Sequence, residues 1–300
     1  MNKYRLMILI VCFLLSSDRI LGQDLSQDAL PIATNETTSP TATPQPITLT
    51  DDISAHIREI YIRGQRFGNR VDAFSKVGDS LTVSQNFMYP LGVGRYDLGI
   101  YDYLQAVIDL YSARNARIGN SFINESLAAR EGWSTRQVLN PTMSNPTFCN
   151  PQEIPLLCEY RLVRPSVALI LFGTNDVGYR QVDDFVADME TIITYSEELG
   201  IIPILSTIPY RPDAVMQVER FNRALLQLAD DKALPIIDLY DYTVGLPNYG
   251  LTSDDIHLSS SPAGITGAAT FTSQNLQYGY VVRNLATLDM LHHIYTIIND

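Results

Sequence analysis

Short, nearly continuous apolar runs recur along the chain, and longer stretches with apolar positions at helical spacing lie between them. Runs at 167–172, 201–208 and 234–239 have strand length and turn-like borders. The alternating segment Val71-Asp72-Ala73-Phe74-Ser75-Lys76-Val77 reads as another strand, and a weaker one is expected near 113–118. Ile53, Ile57, Ile60 and Tyr61 share a helical face behind Thr50 and Asp51 as caps, with Gly64 and Gly68 ending that helix. Further helices are expected at 101–111, 182–199 and 214–229, and around Leu288, Leu291 and Ile294. Strands apolar throughout and separated by helices are buried on both faces. This predicts an α/β fold: a doubly wound, flavodoxin-like parallel sheet with helices on both sides, over residues 51–300.

The residues before this pattern are of another kind. Lys3 and Arg5 precede an apolar stretch at 6–15, and the small residues Ser16, Ser17 and Gly22 follow. Ten apolar residues are too few to span a bilayer, so residues 1–22 read as a cleaved signal peptide and the protein as secreted or extracytoplasmic, without stable membrane insertion. Residues 23–50 are rich in Ser, Thr and Pro and poor in large apolar residues, so they read as a disordered spacer. Asn35 and Asn124 each open a glycosylation sequon.

Charge narrows the partners. The chain holds 21 basic and 33 acidic residues, a net −12, and loss of residues 1–22 removes Lys3, Arg5, Arg19 and Asp18 to leave −14. Such acidity repels nucleic acid and anionic lipid, and no Lys/Arg cluster offsets it, so no nucleic-acid partner is expected. Cys149 and Cys158 remain as an even pair in an exported chain, which predicts a disulfide across a short loop.

The candidate chemistry lies where strands end. Gly78-Asp79-Ser80-Leu81 follows the first strand and puts a serine at the carboxyl edge of the sheet. Gly173-Thr174-Asn175-Asp176 ends another strand and offers an amide donor at the same edge, although Gly, Asn and Asp also suit an ordinary turn. In Asp254-Asp255-Ile256-His257 a carboxylate three residues before a histidine can reach Nδ1 and leave Nε2 as a base. Gly132, in Arg130-Glu131-Gly132-Trp133-Ser134-Thr135, can bring a backbone N–H close to a ligand or simply join a loop to a helix. His56, His292 and His293 sit on helical faces and read as packing or surface residues. G-x-S-x-G, H-E-x-x-H, P-loop and dinucleotide patterns are missing, and no metal or organic cofactor is expected.

Taken together, Gly78-Asp79-Ser80-Leu81, Gly173-Thr174-Asn175-Asp176 and Asp254-x-x-His257 resemble the GDSL, or SGNH, hydrolases over about residues 57–260. The resemblance implies a serine esterase or lipase with Ser80 as nucleophile, His257 as base and Asp254 as its orienting acid. It implies an oxyanion hole from the N–H groups of Ser80 and Gly132 and the side chain of Asn175. Gly119 is the rival glycine, because the family's glycine normally follows the serine more closely than Gly132 does. The expected substrate is a small-molecule or glycan ester, with acetylated extracellular polysaccharide suggested by the setting. A non-catalytic protein of the same fold and an O-acyltransferase are the alternatives. Tyr89, Tyr96, Tyr101, Tyr103 and Tyr111 form an insertion that either binds sugar rings or packs as lid or core.

Overall fold

The structure is a computed structural model, and it describes residues 49–300. The expected signal peptide, nearly all of the spacer, and the Asn35 sequon lie outside the described residues.

Helix α1 (Asp51–Phe67) starts where the Thr50 hydroxyl accepts the Ile53 N–H at 3.3 Å. It does not stop at Gly64. A Cβ at position 64 would lie 2.1 Å from the Gly200 carbonyl oxygen, so this glycine permits close packing inside a continuous helix. The helix ends instead at Gly68.

Strands β1 (Arg70–Gly78), β2 (Pro165–Leu171), β3 (Ile202–Ser206) and β4 (Ile236–Ile237) form a parallel sheet in that order. On the free side of β1, Gly78 makes a single parallel bridge with Ala129. This adds a vestigial strand, second in sequence, and gives the 2-1-3-4-5 arrangement of flavodoxin-like folds.

The strand expected at 113–118 is not formed. Ala116 N–H bonds the Gly119 carbonyl at 2.7 Å in a tight turn, and Arg70 holds the Asn115 carbonyl at 2.7 Å. Side chains occupy the adjacent edge of β1: the Ser121 hydroxyl accepts the Phe74 N–H at 3.0 Å. The run at 234–239 keeps only two strand residues, because Asp238 turns the chain into a helix and accepts the Thr207 hydroxyl at 2.8 Å.

Short helices α2 (Ser80–Val83) and α3 (Tyr89–Gly92) follow β1, and α4 (Gln105–Ser112) follows a 3₁₀ turn that breaks the helix expected at 101–111. Next come α5 (Thr135–Val138), α6 (Pro155–Val163), α7 (Val182–Glu198), α8 (Val215–Asp231), α9 (Leu239–Val244) and α10 (Gly279–Asn299). Helix α10 packs on α1 and α4, and α7 packs on α8 and β3. Helix α6 joins the latter group through the Tyr160 and Ser196 hydroxyls, 2.8 Å apart. The first thirteen residues of α10 are almost all buried, as a helix covered on every side must be.

Cys149 and Cys158 form the expected disulfide. The Asn124 sequon is not presented to solvent. Its side chain is buried, with the amide nitrogen 3.3 Å from Glu159. The tyrosine insertion mostly packs: Tyr111 lies against Phe74 and Phe122, Tyr101 against Phe271, and the Tyr103 hydroxyl donates to Asp289 on α10 at 2.8 Å.

Gly64→Ala is expected to destabilise the fold by about 1–3 kcal/mol in urea unfolding, because backbone must move. Gly245→Ala, where a Cβ would meet nothing within 4 Å, should be near neutral. Equal stability of both variants would remove the close-packing account of Gly64.

Candidate active site

Ser80 is the first residue of α2, directly beyond β1, so its N–H is one of the donors that a helix start leaves unpaired. Asp79 caps this helix, its Oδ1 accepting the Leu81 N–H at 2.9 Å. From α10, Arg283 donates to the Leu81 carbonyl at 2.7 Å and to the Thr82 hydroxyl at 3.2 Å, with its guanidinium 3.6 Å above the Phe87 ring. Next to it, Asn284 accepts the Met88 N–H at 2.9 Å and donates to the carbonyls of Asn86 and Ala268, both at 2.8 Å. These two residues fix the serine-bearing turn from behind. Sequence reading missed them. The signal was available as adjacent polar residues in an otherwise apolar stretch of α10.

His257 stands on a loop closed by the Leu251–Leu258 bridge and by the Thr252 N–H on the His257 carbonyl at 2.8 Å. Within it, Asp254 Oδ1 accepts the N–H groups of Ile256 and His257, each at 2.9 Å, and the Thr252 hydroxyl at 2.7 Å. Its Oδ2 lies 2.7 Å from His257 Nδ1. Partial burial would raise the Asp254 pKa, but these hydrogen bonds outweigh it and hold the carboxyl well below the usual range. An ionised Asp254 assigns the proton to Nδ1, so Nε2 accepts the Ser80 hydroxyl, 3.0 Å away. Asp255 occupies the turn itself, with φ 61°, and takes no part in this chain of bonds.

The loop is braced from its other end. Asn248 and Tyr249 both take left-handed conformations (φ 48° and 56°), a strain for residues with a Cβ. Asn248 Nδ2 bonds the Leu251 and Thr252 carbonyls at 3.2 Å, and Tyr249 stacks on Tyr210 with ring centres 4.0 Å apart.

Asn175 and Gly132 are brought together by the Asn175 Nδ2 donating to the Trp133 carbonyl at 2.8 Å. The buried Asp176 adds a second tie, accepting the Thr135 hydroxyl at 2.8 Å and the Thr135 N–H at 3.2 Å. Asp176 is therefore a pin between the two loops. Burial pushes its pKa up. Gly132 has φ 72°, and a Cβ there would meet nothing within 4 Å, so its backbone is open to a ligand. Among the described residues, the N–H groups of Ser80 and Gly132 donate to no protein acceptor. Gly119 sits in the turn at 116–119 against Ile123, and no bond ties it to Asn175.

The remaining histidines do structural work. His56 lies 3.4 Å from Glu197, His292 packs on Tyr103 and His293 faces Asp289 at 3.9 Å. Cys149, Glu153 and Cys158 come together, but both sulfurs are spent in the disulfide. No helix among the described residues is long and apolar enough to cross a membrane.

A strand-end serine bonded to a histidine that is itself paired with a carboxylate defines a serine hydrolase type of site. The profile of the GDSL-like Lipase/Acylhydrolase family matches residues 77–261. That is more than half of the 300 residues, so the chain belongs to this family and is a carboxylic ester hydrolase by class. Among solved structures it is similar to the lipase/acylhydrolase from Enterococcus faecalis, at 20% identity over 72% of this chain and 95% of that one, with a TM-score of 0.43. It is also similar to a catalytic mutant of an acetylxylan esterase from Geobacillus stearothermophilus, at 16% identity over 73% and 93% of the two chains, with a TM-score of 0.44. A GDSL-like lipase from Bacteroides thetaiotaomicron is similar at 14% identity over 80% and 98%, with a TM-score of 0.43. No curated protein matches the sequence.

Burial pushes the Asp79 carboxyl up to about 7, against the pull of the Leu81 N–H. Unfolded, the same group titrates near 3.8, so the folded state retains a proton between the two values. This contribution to stability is fully present below about pH 4 and is lost as pH rises through about 7. Asp79→Asn, which cannot ionise, should therefore gain stability relative to the parent between pH 5 and pH 8 in paired urea unfolding curves. A constant difference across that range would refute the assignment.

Proposed function

We propose that the protein is a secreted serine esterase in which Ser80 is the nucleophile, His257 the general base and Asp254 its orienting acid. One observation carries this reading: Ser80 Oγ, His257 Nε2, His257 Nδ1 and Asp254 Oδ2 form an unbroken hydrogen-bonded chain, with steps of 3.0 Å and 2.7 Å. Ser80 Oγ attacks the ester carbonyl carbon as His257 Nε2 takes its proton. The carbonyl π bond opens onto oxygen, and the N–H groups of Ser80 and Gly132 with the Asn175 amide stabilise that oxyanion. The carbonyl re-forms as the alkoxide leaves with the proton from His257, giving an acyl-serine and a free alcohol. Water then repeats the sequence, with His257 again as base, and releases the acid.

Secretion is supported by the signal-like pattern of residues 1–22 and by the disulfide, which persists in oxidising compartments. An exported ester hydrolase meets acylated extracellular polymers, and acetylated glycans are the proposed substrates.

The parent should hydrolyse 4-nitrophenyl acetate, and Ser80→Ala should abolish both turnover and labelling by a fluorophosphonate. Asn175→Ala should lower kcat by roughly 10²–10³. Undiminished turnover in Ser80→Ala would end the assignment. Expression in a secreting host should give a medium-borne product shortened by about 22 residues, read by intact mass. Retention of the full precursor in cells would count against secretion.

A further inference from the structure

A pocket of about 470 Å³ opens beside the proposed catalytic groups. Its lining includes Thr82, Val83 and Ser84, beginning two residues after Ser80, and Ala129, Arg130 and Glu131, immediately before Gly132. It thus lies between the segments that carry the nucleophile and the open backbone glycine. Neither Ser80 nor His257 lines it, so it adjoins the segments that follow Ser80 and precede Gly132 and does not contain the reacting atoms.

The lining has an unusual chemistry for an ester hydrolase. Val83, Ile123 and Ala129 bring the only purely aliphatic side chains among the lining residues, too few to cover a long acyl chain. Lys76, on β1 and only 9% exposed, is a charged residue of the lining. Its Nζ spends one hydrogen on the Phe122 carbonyl, 2.9 Å away, out of three available. Burial pushes its pKa down to about 8, while the nearby Glu159 works in the opposite direction. Glu159 is itself buried and held by the Ser75 hydroxyl at 2.9 Å and the Leu127 N–H at 2.8 Å.

The buried Glu159 favours the charged amine without reaching ion-pair distance, so an anionic ligand is not the one source of compensation open to Lys76. What it offers to the pocket is hydrogen-bond donors. The exposed rim mixes signs, with Arg130 against Glu125 and Glu131, so it supplies donors and acceptors together. Tyr89, half-buried, adds an aromatic body with a polar tip.

We propose that this pocket is a subsite for an uncharged polyhydroxylated ring, a sugar unit of the ester substrate, with Lys76 and Tyr89 as its specificity-determining residues. Such a ring has an apolar C–H face for Tyr89 and hydroxyls that both accept from Lys76 and Arg130 and donate to Glu125 and Glu131. A fatty acyl chain would leave these groups desolvated without partners, and an anionic ring would meet the two rim carboxylates. This proposal rests on the esterase reading, and binding separates the two. In the Ser80→Ala background, mono-O-acetyl methyl xyloside is titrated and followed by ligand-observed NMR. Adding Lys76→Met or Tyr89→Ala is expected to weaken binding at least fivefold each. With Ser80 intact, each is expected to lower kcat/KM for the sugar ester at least fivefold more than for 4-nitrophenyl acetate. Circular dichroism checks each fold, and the half-exposed Tyr89 keeps the test valid if the buried Lys76 variant does not fold. Unchanged sugar affinity in the folded variants, or faster cleavage of 4-nitrophenyl decanoate than of the acetate, overturns the subsite. Failure of the parent to cleave any ester, with sugar binding still dependent on Lys76, would instead overturn the esterase reading alone.

Discussion

The turn from β1 into α2 has to satisfy two opposed demands. Its backbone must be rigid enough to hold one hydroxyl 3.0 Å from a histidine that lies 177 residues away in sequence. Yet the Ser80 N–H, the first of the helix, must stay unpaired if it is to meet a ligand. The structure resolves this by placing its restraints on the far side of the turn. Asp79 takes the Leu81 N–H, Arg283 takes the Leu81 carbonyl, and Asn284 takes backbone groups at Asn86 and Met88. A buried guanidinium and a buried carboxyl in one wall are costly to desolvate, and burial lowers the Arg283 pKa to about 10 as it raises that of Asp79. This cost accompanies a fixed geometry at the one point where the fold meets chemistry.

The other loops at this edge are fixed by the same logic. Asn175 and Asp176 leave β2 together but bond separate points of the segment 133–135, so the Gly132 loop has two anchors. The His257 loop is stiffened from within by Asp254, which accepts four hydrogen bonds from its own segment. That concentration of donors keeps Asp254 ionised, and an ionised Asp254 fixes the histidine tautomer. Local loop geometry and protonation state are therefore one arrangement.

Much of the architecture was legible in the sequence because parallel strands buried on both faces leave a continuous apolar record. The runs at 167–172 and 201–208 and the helices at 182–199 and 214–229 appear within a residue or a few of their expected limits. The failures have a common cause. Residues 113–118 carry only Ala113, Ala116 and Ile118 between Arg114, Asn115 and Arg117, a weak strand signal, and Ser121 and Arg70 occupy the edge of β1 with which it would pair. Gly64 looked like a helix stop because its packing partner, Gly200, is remote in sequence. The Asn124 sequon is blocked by its bond to Glu159, again a long-range contact.

The sequence by itself determined the alternation of strands and helices and the pairing of Asp254 with His257, since two residues three positions apart on one loop can meet without help from elsewhere. It also marked Ser80 and Asn175 as strand-end residues, because each motif follows its own apolar run. Only the tertiary structure decided that Gly132 rather than Gly119 stands beside Asn175, and that Arg283 and Asn284 hold the serine turn. It alone showed that Lys76, an apparent exception in a buried strand, faces a polar pocket. Those relations depend on which side chains meet across distant segments, and hydrophobic periodicity reports burial without naming the neighbour.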